Sequence, residues 1–355
     1  MRSASAARKA AESSSESRSA ACHVGRGGGA DTPETGTGRG VDRAKLMPAI
    51  SHGLGFCGLN APMEIVWNSL RDQDWRPAAL PLQQSRAYGL ALAMTGAEVC
   101  QVAIRDAGGA AGHAQVVRRR LGPLRLSLLS RGPLWREIPA AGIEARALRC
   151  LGRAFPLVAT PERPGLRAGL PLVTPRSHAL WQITAAPGAL RAGLDGKWRN
   201  RLVRAEATRL DLRLTRPLPG AIAWLLTADA ARQRERGYRA LPARFTHAWL
   251  AAAPEDALYT EAWAGGERVA AMLFLLHAPW ASYHIGWTGE AGRRLEAHRL
   301  LLWRAALHLR ERGIDTLDLG DVNTDGAPGL ARFKIGTGAR IASLGPTILI
   351  GPGGR

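Results

Sequence analysis

Lysine is rare in this chain of 355 residues, although the chain is strongly basic. Lysine and arginine together number 48, and lysine stands only at positions 9, 45, 197 and 334, which leaves 44 arginines. A surface cation is therefore almost always an arginine here. Lys334 needs a particular reason, because it lies in the glycine-rich stretch 318–340, close to Asp318 and Asp321.

Cysteine is also scarce, and the four residues Cys22, Cys57, Cys100 and Cys150 show neither C-x-x-C spacing nor a companion histidine cluster. This pattern argues against a zinc motif and a disulfide framework, and it predicts reduced thiols in a cytoplasmic protein. No apolar run approaches the roughly 18 residues that span a bilayer. The longest, Val269–Leu276, has the length of a buried strand. The sequence thus predicts no metal site and no transmembrane segment.

Positive charge is abundant: the formal net charge is +19 and the pI is near 11.2. Such a balance permits a polyanionic partner, which would be RNA, a nucleotide diphosphate or anionic lipid head groups. The alternative is that an arginine-, alanine- and glycine-rich composition reflects genome base bias and serves solubility. The total charge leaves both readings open, and the local arrangement has to decide between them.

The chain divides into three parts by composition. Residues 1–60 carry Ser, Gly, Thr and Arg without apolar periodicity, which predicts a disordered extension, and Met63, or else Met47, is a candidate for the true start. From residue 61 onward strands and helices alternate, which predicts an α/β (α+β) protein. A proline-rich stretch suggests a boundary between a domain at 61–178 and a second domain at 179–355.

Periodicity and turn residues place the individual elements. A hairpin with a Gly-Pro turn is expected over 112–135. Helices are predicted over 85–95, 139–155, 190–207, 221–237, 240–253, 293–312 and 329–335. Strands are predicted over 64–67, 99–104, 258–264, 269–276, 280–287, 314–319 and 341–350.

Four stretches in sequence order resemble the FemAB-like acyltransferases. They are PLQQSRAYGLAL (81–92), RGPLW (131–135), GKWRNRLVRAE (196–206) and the segment from HRLLLWRAALHL to GLARFKIGTGA (298–339). The resemblance implies two tandem GNAT-like domains, each a mixed, mostly antiparallel sheet flanked by helices. It also implies transfer of an amino acid from aminoacyl-tRNA to an amine of a peptidoglycan precursor. The partners would then be tRNA and a nucleotide- or lipid-linked precursor, with peripheral membrane contact.

The donor remains open between aminoacyl-tRNA and acyl-CoA. A CoA-binding GNAT loop presents backbone N–H groups to a diphosphate at a helix N-terminus. The corresponding segment 286–298 has degenerate glycine spacing, and Glu290 and Glu296 would lie near the phosphates. This weakens an acyl-CoA assignment.

Lys334 is the residue that we expect at the reacting centre. No nucleophile motif is present, so direct attack of an amine on an activated acyl donor is expected. In the Fem-type enzymes the lysine of the matching F-K segment has an electrostatic role, and the resemblance carries that role onto Lys334. Asp318 and Asp321 follow a predicted strand, where a carboxylate would orient the amine or take its proton. Alternatively, Asp318 forms a salt bridge with an arginine.

Substrate contacts are predicted at eight further positions. Lys197, Arg201 and Arg204 recur at helical spacing and would bind phosphates, unless they are a solvated face. The remaining candidates are Tyr283 and His284 on a strand, Asn323 in a loop, and Gln84 and Arg131 in family motifs. The leading hypothesis is an acyltransferase acting on a cell-envelope precursor. An acyl-CoA-dependent N-acyltransferase and a non-catalytic RNA-binding protein of GNAT fold are the alternatives.

Overall fold

The computed structural model describes residues 63–69, 75, 77, 79–107 and 111–353, together with the main chain of 54–57. The disorder predicted for the N-terminal extension falls outside these residues, except at Leu54–Cys57. That stretch pairs antiparallel with Met63–Trp67 and is a strand. Composition predicted disorder there because a strand of four residues is too short to show an apolar periodicity.

The strands, in chain order, are β1 (Leu54–Cys57), β2 (Met63–Trp67), β3 (Glu98–Asp106), β4 (Ala111–Leu121), β5 (Leu124–Ser130), β6 (Leu134–Trp135), β7 (Leu157–Thr160), β8 (Leu170–Val173), β9 (Ser177–Gln182), β10 (Asp211–Thr215), β11 (Ala257–Ala264), β12 (Glu267–His277), β13 (Trp280–Thr288), β14 (Thr316–Asp321), β15 (Arg340–Ser343) and β16 (Thr347–Ile350). The helices are α1 (Arg86–Met94), α2 (Ala141–Leu151), α3 (Pro187–Ala192), α4 (Gly196–Glu206), α5 (Pro219–Arg236), α6 (Ala243–Ala252), α7 (Glu290–Arg294), α8 (Ala297–Glu311) and α9 (Pro328–Ile335).

The strands form two sheets. The first has the order β1-β2-β3-β4-β5-β7-β16-β8, with β6 paired to β4, and the second has the order β10-β11-β12-β13-β14-β9-β15. Each sheet is mostly antiparallel and contains one parallel pair among the described strands, β5 with β7 and β13 with β14. Because helices flank both sheets, the predicted fold class is confirmed.

A long antiparallel ribbon connects the sheets. β8 and β9 follow one another in the chain, as do β15 and β16, and the two pairs of strands lie side by side. The ribbon enters the first sheet through β8 and β16 and the second through β9 and β15. The predicted single strand 341–350 is therefore wrong: it is two strands, and the second returns to the first sheet. The boundary between residues 178 and 179 stays a prediction.

Two predicted helices are each divided into two. The helix expected over 190–207 is α3 followed by α4, and Asp195 caps α4 by accepting from the N–H groups of Lys197 (2.9 Å) and Trp198 (3.1 Å). The helix expected over 293–312 is α7 followed by α8, because Glu296 between them has φ of 54°. Apolar periodicity does not reveal an interruption by one residue in the left-handed region.

Three clusters of buried apolar side chains form the core. One face of the second sheet packs against α4 and α8, and the opposite face packs against α5, α6 and α1. The third cluster lies between the first sheet and α2. Since α1 belongs to the first half of the chain and packs on the second sheet, apolar packing links the two halves.

Candidate active site

A cleft opens where β13 and β14 separate. The two strands pair in parallel register only from Trp280–Ser282 to Thr316–Asp318. Asp318 is the last residue of β14 that pairs with β13. β9 pairs with the other edge of β14 from Thr316 to Asp321, and β13 runs on to Thr288. A register shift in β13, with His284 as the extra residue, accompanies the separation. The main chain at the end of β14 thereby faces a space that a neighbouring strand would otherwise fill.

Lys334 lies at this point, on α9. Its side chain is buried, with 6% of the residue exposed, and Nζ donates a hydrogen bond of 2.7 Å to the main-chain oxygen of Asp321. Burial lowers the pKa of Lys334, and the charges of Asp321 and Asp318 oppose that shift. Gly320 has φ of 80°, and a Cβ there would lie 3.5 Å from Nζ. The end of β14 is thus shaped around one compact ammonium group.

The helix that carries Lys334 is fixed against α4. Trp198 of α4 donates from Nε1 to the main-chain oxygen of Phe333 (3.0 Å), and the two rings lie 6.2 Å apart. Gly336 lets the helix end approach, since a Cβ there would lie 2.7 Å from the indole of Trp198. Phe333 packs against Trp198 and thereby fixes the position of Lys334, the next residue. This contact explains why a phenylalanine precedes the lysine.

Asp318 is a buried ion-paired carboxylate. Arg131 donates to its Oδ2 (2.5 Å), the main-chain N–H of Gly320 donates to Oδ1 (2.7 Å), and His178 Nδ1 lies 3.2 Å from Oδ1. Burial raises the pKa of Asp318, but the hydrogen bond to His178 and the charge of Arg131 outweigh it and hold the pKa well below its usual range. A carboxylate this acidic is a poor proton acceptor, so the salt-bridge alternative fits the geometry better than catalysis.

Arg131 and Gln84 are also buried. Arg131 binds Glu162 through Nε (2.8 Å) and Nη2 (2.7 Å) in addition to Asp318. Gln84 donates to the main-chain oxygen of Ser130 (2.8 Å) and accepts from the N–H of Gln115 (2.8 Å). Both side chains thus make internal structural contacts, and their roles as substrate contacts stay predictions. Family motifs do not distinguish a buried polar residue from an exposed one.

Tyr283 and His284 were expected to face one cleft, but they lie on opposite faces of the sheet. Tyr283 packs with the α8 cluster, covers Gly286, and has its pKa raised by burial to about 12. His284 contacts Thr246 Oγ1 of α6 (2.9 Å), and burial lowers its pKa to about 4. Successive residues of a strand point to opposite sides, so only one of the pair adjoins the Lys334 side.

The predicted basic face of α4 is exposed. Lys197 and Arg204 are open to solvent, and Arg201 lies 3.6 Å from Glu296 Oε1. Glu296, at the N-terminus of α8, also pairs with Arg299. Arg299, on α8, was not among the predicted residues. Its guanidinium lies 5.7 Å from the ring centre of Phe333. The prediction used only the spacing of residues along α4 and therefore did not include it.

Two further groups border the cleft. His298, which the sequence reasoning missed, donates from Nε2 to the Trp287 main-chain oxygen (2.7 Å), and burial lowers its pKa to about 4. Asn323 follows β14 and accepts from the N–H groups of Asp325 (3.1 Å) and Gly326 (2.7 Å). Asn323 is exposed, but its side-chain oxygen already accepts hydrogen bonds within its own turn.

A groove of about 430 Å³ lies between α5, the loop before α6, and Ile285 of β13. The buried carboxylate of Asp229 borders it and binds Arg232 and Gln233, each at 2.7 Å. Arg232 continues to the main-chain oxygen of Gly286 (2.6 Å), in the part of β13 that no longer pairs with β14. The groove and the Lys334 cleft thus adjoin the same segment of β13.

Among the described residues, no cluster of His, Cys, Asp and Glu has the arrangement of a metal site. Within the same residues, no helix combines the length and the apolar character needed to cross a membrane.

Residues 179–334 match the family model described as "Acetyltransferase (GNAT) domain". This segment begins in β9 and ends at Lys334. No curated protein shows significant sequence similarity to the chain.

Three solved structures are similar. FemX has a TM-score of 0.59 at 12% identity, covering 76% of this chain and 92% of FemX. The C-terminal domain of a putative lysylphosphatidylglycerol synthetase from Agrobacterium fabrum has a TM-score of 0.46 at 14% identity, covering 74% and 86%. A tandem GNAT protein from the clavulanic acid biosynthesis pathway has a TM-score of 0.44 at 13% identity, covering 77% and 88%. The FemX match confirms the resemblance to FemAB-like acyltransferases at the level of the fold.

The buried ion pair predicts a stability effect. Replacing Asp318 by Asn leaves the Arg131 guanidinium buried with one carboxylate fewer, and breaking a buried pair costs about 3–5 kcal/mol. We expect the free energy of unfolding of Asp318→Asn, measured with urea, to fall by roughly that amount. Asp211→Asn, which removes an exposed pair with Arg213, is the control and should cost under about 1 kcal/mol. Equal effects of both variants would contradict the assignment.

The buried histidines predict a pH effect on stability. Burial lowers the pKa of His277, His284 and His298 to about 4 from 6.5. Between pH 6.5 and 4 the unfolded chain binds protons that the folded chain does not, so stability falls as the pH falls. Each histidine contributes up to about 1.4 kcal/mol per pH unit. His284→Gln should flatten the dependence, measured by urea unfolding at several pH values.

The control for this effect is His247→Gln, because His247 is exposed on the same helix that His284 contacts. It should leave the slope unchanged. A slope that is the same in all three proteins would show that His284 takes up a proton in the folded state.

Proposed function

We propose that this chain, whose residues 179–334 match the GNAT domain, is an acyltransferase of the FemAB-like type. It transfers an aminoacyl or acyl group to an amine of a cell-envelope precursor in the cytoplasm. The observation that supports the proposal most directly is the position of Lys334. Its Nζ is held at the separation of β13 and β14, inside the matched segment.

Lys334 supplies a positive charge for the oxyanion of the attacked carbonyl, or for a phosphate of the substrate. Nζ carries three N–H donors. Among the described residues, the main-chain oxygen of Asp321 is the acceptor for one of them. The other donors are available to an oxygen that develops charge in the transition state. Burial strengthens such an interaction, since a partly desolvated ammonium is less screened by water. An arginine would present a wider, planar fork at the same place.

Asp321 is the better candidate for handling the amine proton. Its main-chain oxygen holds Lys334, its residue is partly exposed, and its charge acts on the Lys334 ammonium. Asp318, by contrast, has its carboxylate bound to Arg131, His178 and Gly320. We therefore assign the amine-orienting or base role to Asp321 and the positioning of the end of β14 to Asp318.

The donor is more consistent with aminoacyl-tRNA than with acyl-CoA. Glu296 occupies the N-terminus of α8, where a GNAT domain would bind a diphosphate, and its carboxylate already binds Arg299 and faces Arg201. Glu296 thus takes the favourable position for a negative charge at this helix N-terminus, and this leaves less attraction for an incoming diphosphate. Lys197, Arg201 and Arg204 form an exposed basic face nearby that suits the phosphates of tRNA or of a nucleotide- or lipid-linked precursor.

A second candidate function is acyl-CoA-dependent N-acyl transfer. The family model is described as an acetyltransferase domain, and this description favours it. In either case the groove beside Asp229 is the candidate acceptor site, because it opens next to the same segment of β13. Arg234 and Arg239 on its rim suit an anionic acceptor.

Lys334→Ala should lower turnover by about 10²-fold or more, as for loss of a major oxyanion donor. Transfer is measured with aminoacyl-tRNA and with acyl-CoA as donors and amine-bearing precursors as acceptors. Arg332→Ala, which removes an exposed cation from the same helix, is the control and should stay near wild type. Near-normal turnover of Lys334→Ala would remove this lysine from the site. tRNA binding unaffected by the substitution, without turnover of any amine, would favour a non-catalytic RNA-binding protein.

Asp321→Asn should lower the turnover number by about 10²–10⁴-fold, the usual contribution of general acid–base catalysis. The main-chain hydrogen bond to Lys334 survives this substitution, but the buried ammonium loses a nearby negative charge, so the urea unfolding midpoint should fall only slightly. Full activity and an unchanged pH–rate profile in this variant would show that Asp321 does not accept the amine proton.

A further inference from the structure

The hairpin formed by β4 and β5 has an apolar apex backed by arginines. Leu121 and Leu124 are the last cross-strand pair, and they are 69% and 47% exposed. Gly122 and Pro123 form the turn between them, and neither is buried. The apex therefore exposes apolar surface on all four residues, away from the three core clusters.

Three arginines, Arg119, Arg120 and Arg125, lie behind the apex. Arg120 and Arg125 stand directly opposite one another across the two strands, and Arg119 is exposed on the other face. Like charges in such a pair are unfavourable. Among the described residues, no carboxylate lies within ion-pair distance of these three arginines, and the sequence has no Asp or Glu between Asp106 and Glu137. An external anion would relieve the repulsion.

We propose that this hairpin docks the protein on an anionic bilayer surface. Leu121 and Leu124 enter the boundary between head groups and acyl chains, and the arginines contact the lipid phosphates with their apolar stems alongside. An apolar apex followed by a basic collar matches the order of layers that a bilayer presents. RNA would be a poorer partner, because the apex offers no aromatic ring for base stacking and places leucines where phosphates would lie.

The docking surface is separate from the transfer site and does not rest on the proposed reaction. The test measures sedimentation of the full chain with vesicles of phosphatidylcholine, alone or mixed equally with phosphatidylglycerol. We expect binding to the mixed vesicles and little to the neutral ones. Leu121→Ser with Leu124→Ser should weaken binding at least about tenfold. Arg120→Gln with Arg125→Gln should weaken it roughly fivefold for each arginine.

The matched control replaces two leucines that are equally exposed elsewhere. Leu170 and Leu172 on β8 are 63% and 50% exposed, and Leu170→Ser with Leu172→Ser should bind as wild type. Thermal unfolding checks that each variant is folded. Equal binding to neutral vesicles, no binding to mixed vesicles, or loss of binding in the β8 variant with the apex variant unaffected would each overturn the proposal. Vesicle binding that needs the arginines but not the leucines would also overturn it and would indicate a general polyanion surface.

Discussion

The ion pair between Arg131 and Asp318 joins the two halves of the molecule, and the candidate active site depends on it. Arg131 follows the last strand of the β4–β5 hairpin in the first sheet, whereas Asp318 lies on β14 of the second. Asp318 in turn binds the N–H of Gly320, which fixes the left-handed turn of the main chain there. Asp321 follows that turn and holds Lys334. The contact between Arg131 and Asp318, which joins the two sheets, thus helps to position Lys334, the candidate catalytic residue.

This chain of contacts explains why a lysine stands at 334. The ammonium approaches Gly320 closely and donates to a main-chain oxygen one residue further on. A guanidinium is planar and broader, and it would fit less readily than a compact ammonium against Gly320. Lysine suits both the close approach to Gly320 and the single main-chain oxygen, that of Asp321, to which the ammonium donates. Charge alone would not select lysine in a chain that supplies arginine everywhere else.

The sequence predicted regular elements well where apolar periodicity is strong, as in β11 to β13 and α5. The predictions failed at two places where the chain changes direction. Glu296, in the left-handed region, divides one predicted helix into two. The link between β15 and β16 carries the chain from one sheet to the other. Lys334 was singled out because lysine is rare here and because of the resemblance in the F-K segment, and its catalytic role stays a prediction. A salt bridge between Asp318 and an arginine was one of the alternatives, but the sequence did not identify Arg131 as the partner, because the two residues lie 187 positions apart.

The distribution of carboxylates distinguishes two uses of arginine in a strongly basic protein. Arg131 is buried with two carboxylates, and Arg163 and Arg146 likewise pair with buried acids, so these residues hold the fold together. The arginines of the β4–β5 apex and of the α4 face have few or no acidic neighbours and stay exposed. A composition bias would add arginine without regard to carboxylates. Among the described residues, the cations of these two surfaces have few carboxylates within ion-pair distance, so each surface is a candidate for contact with an anion.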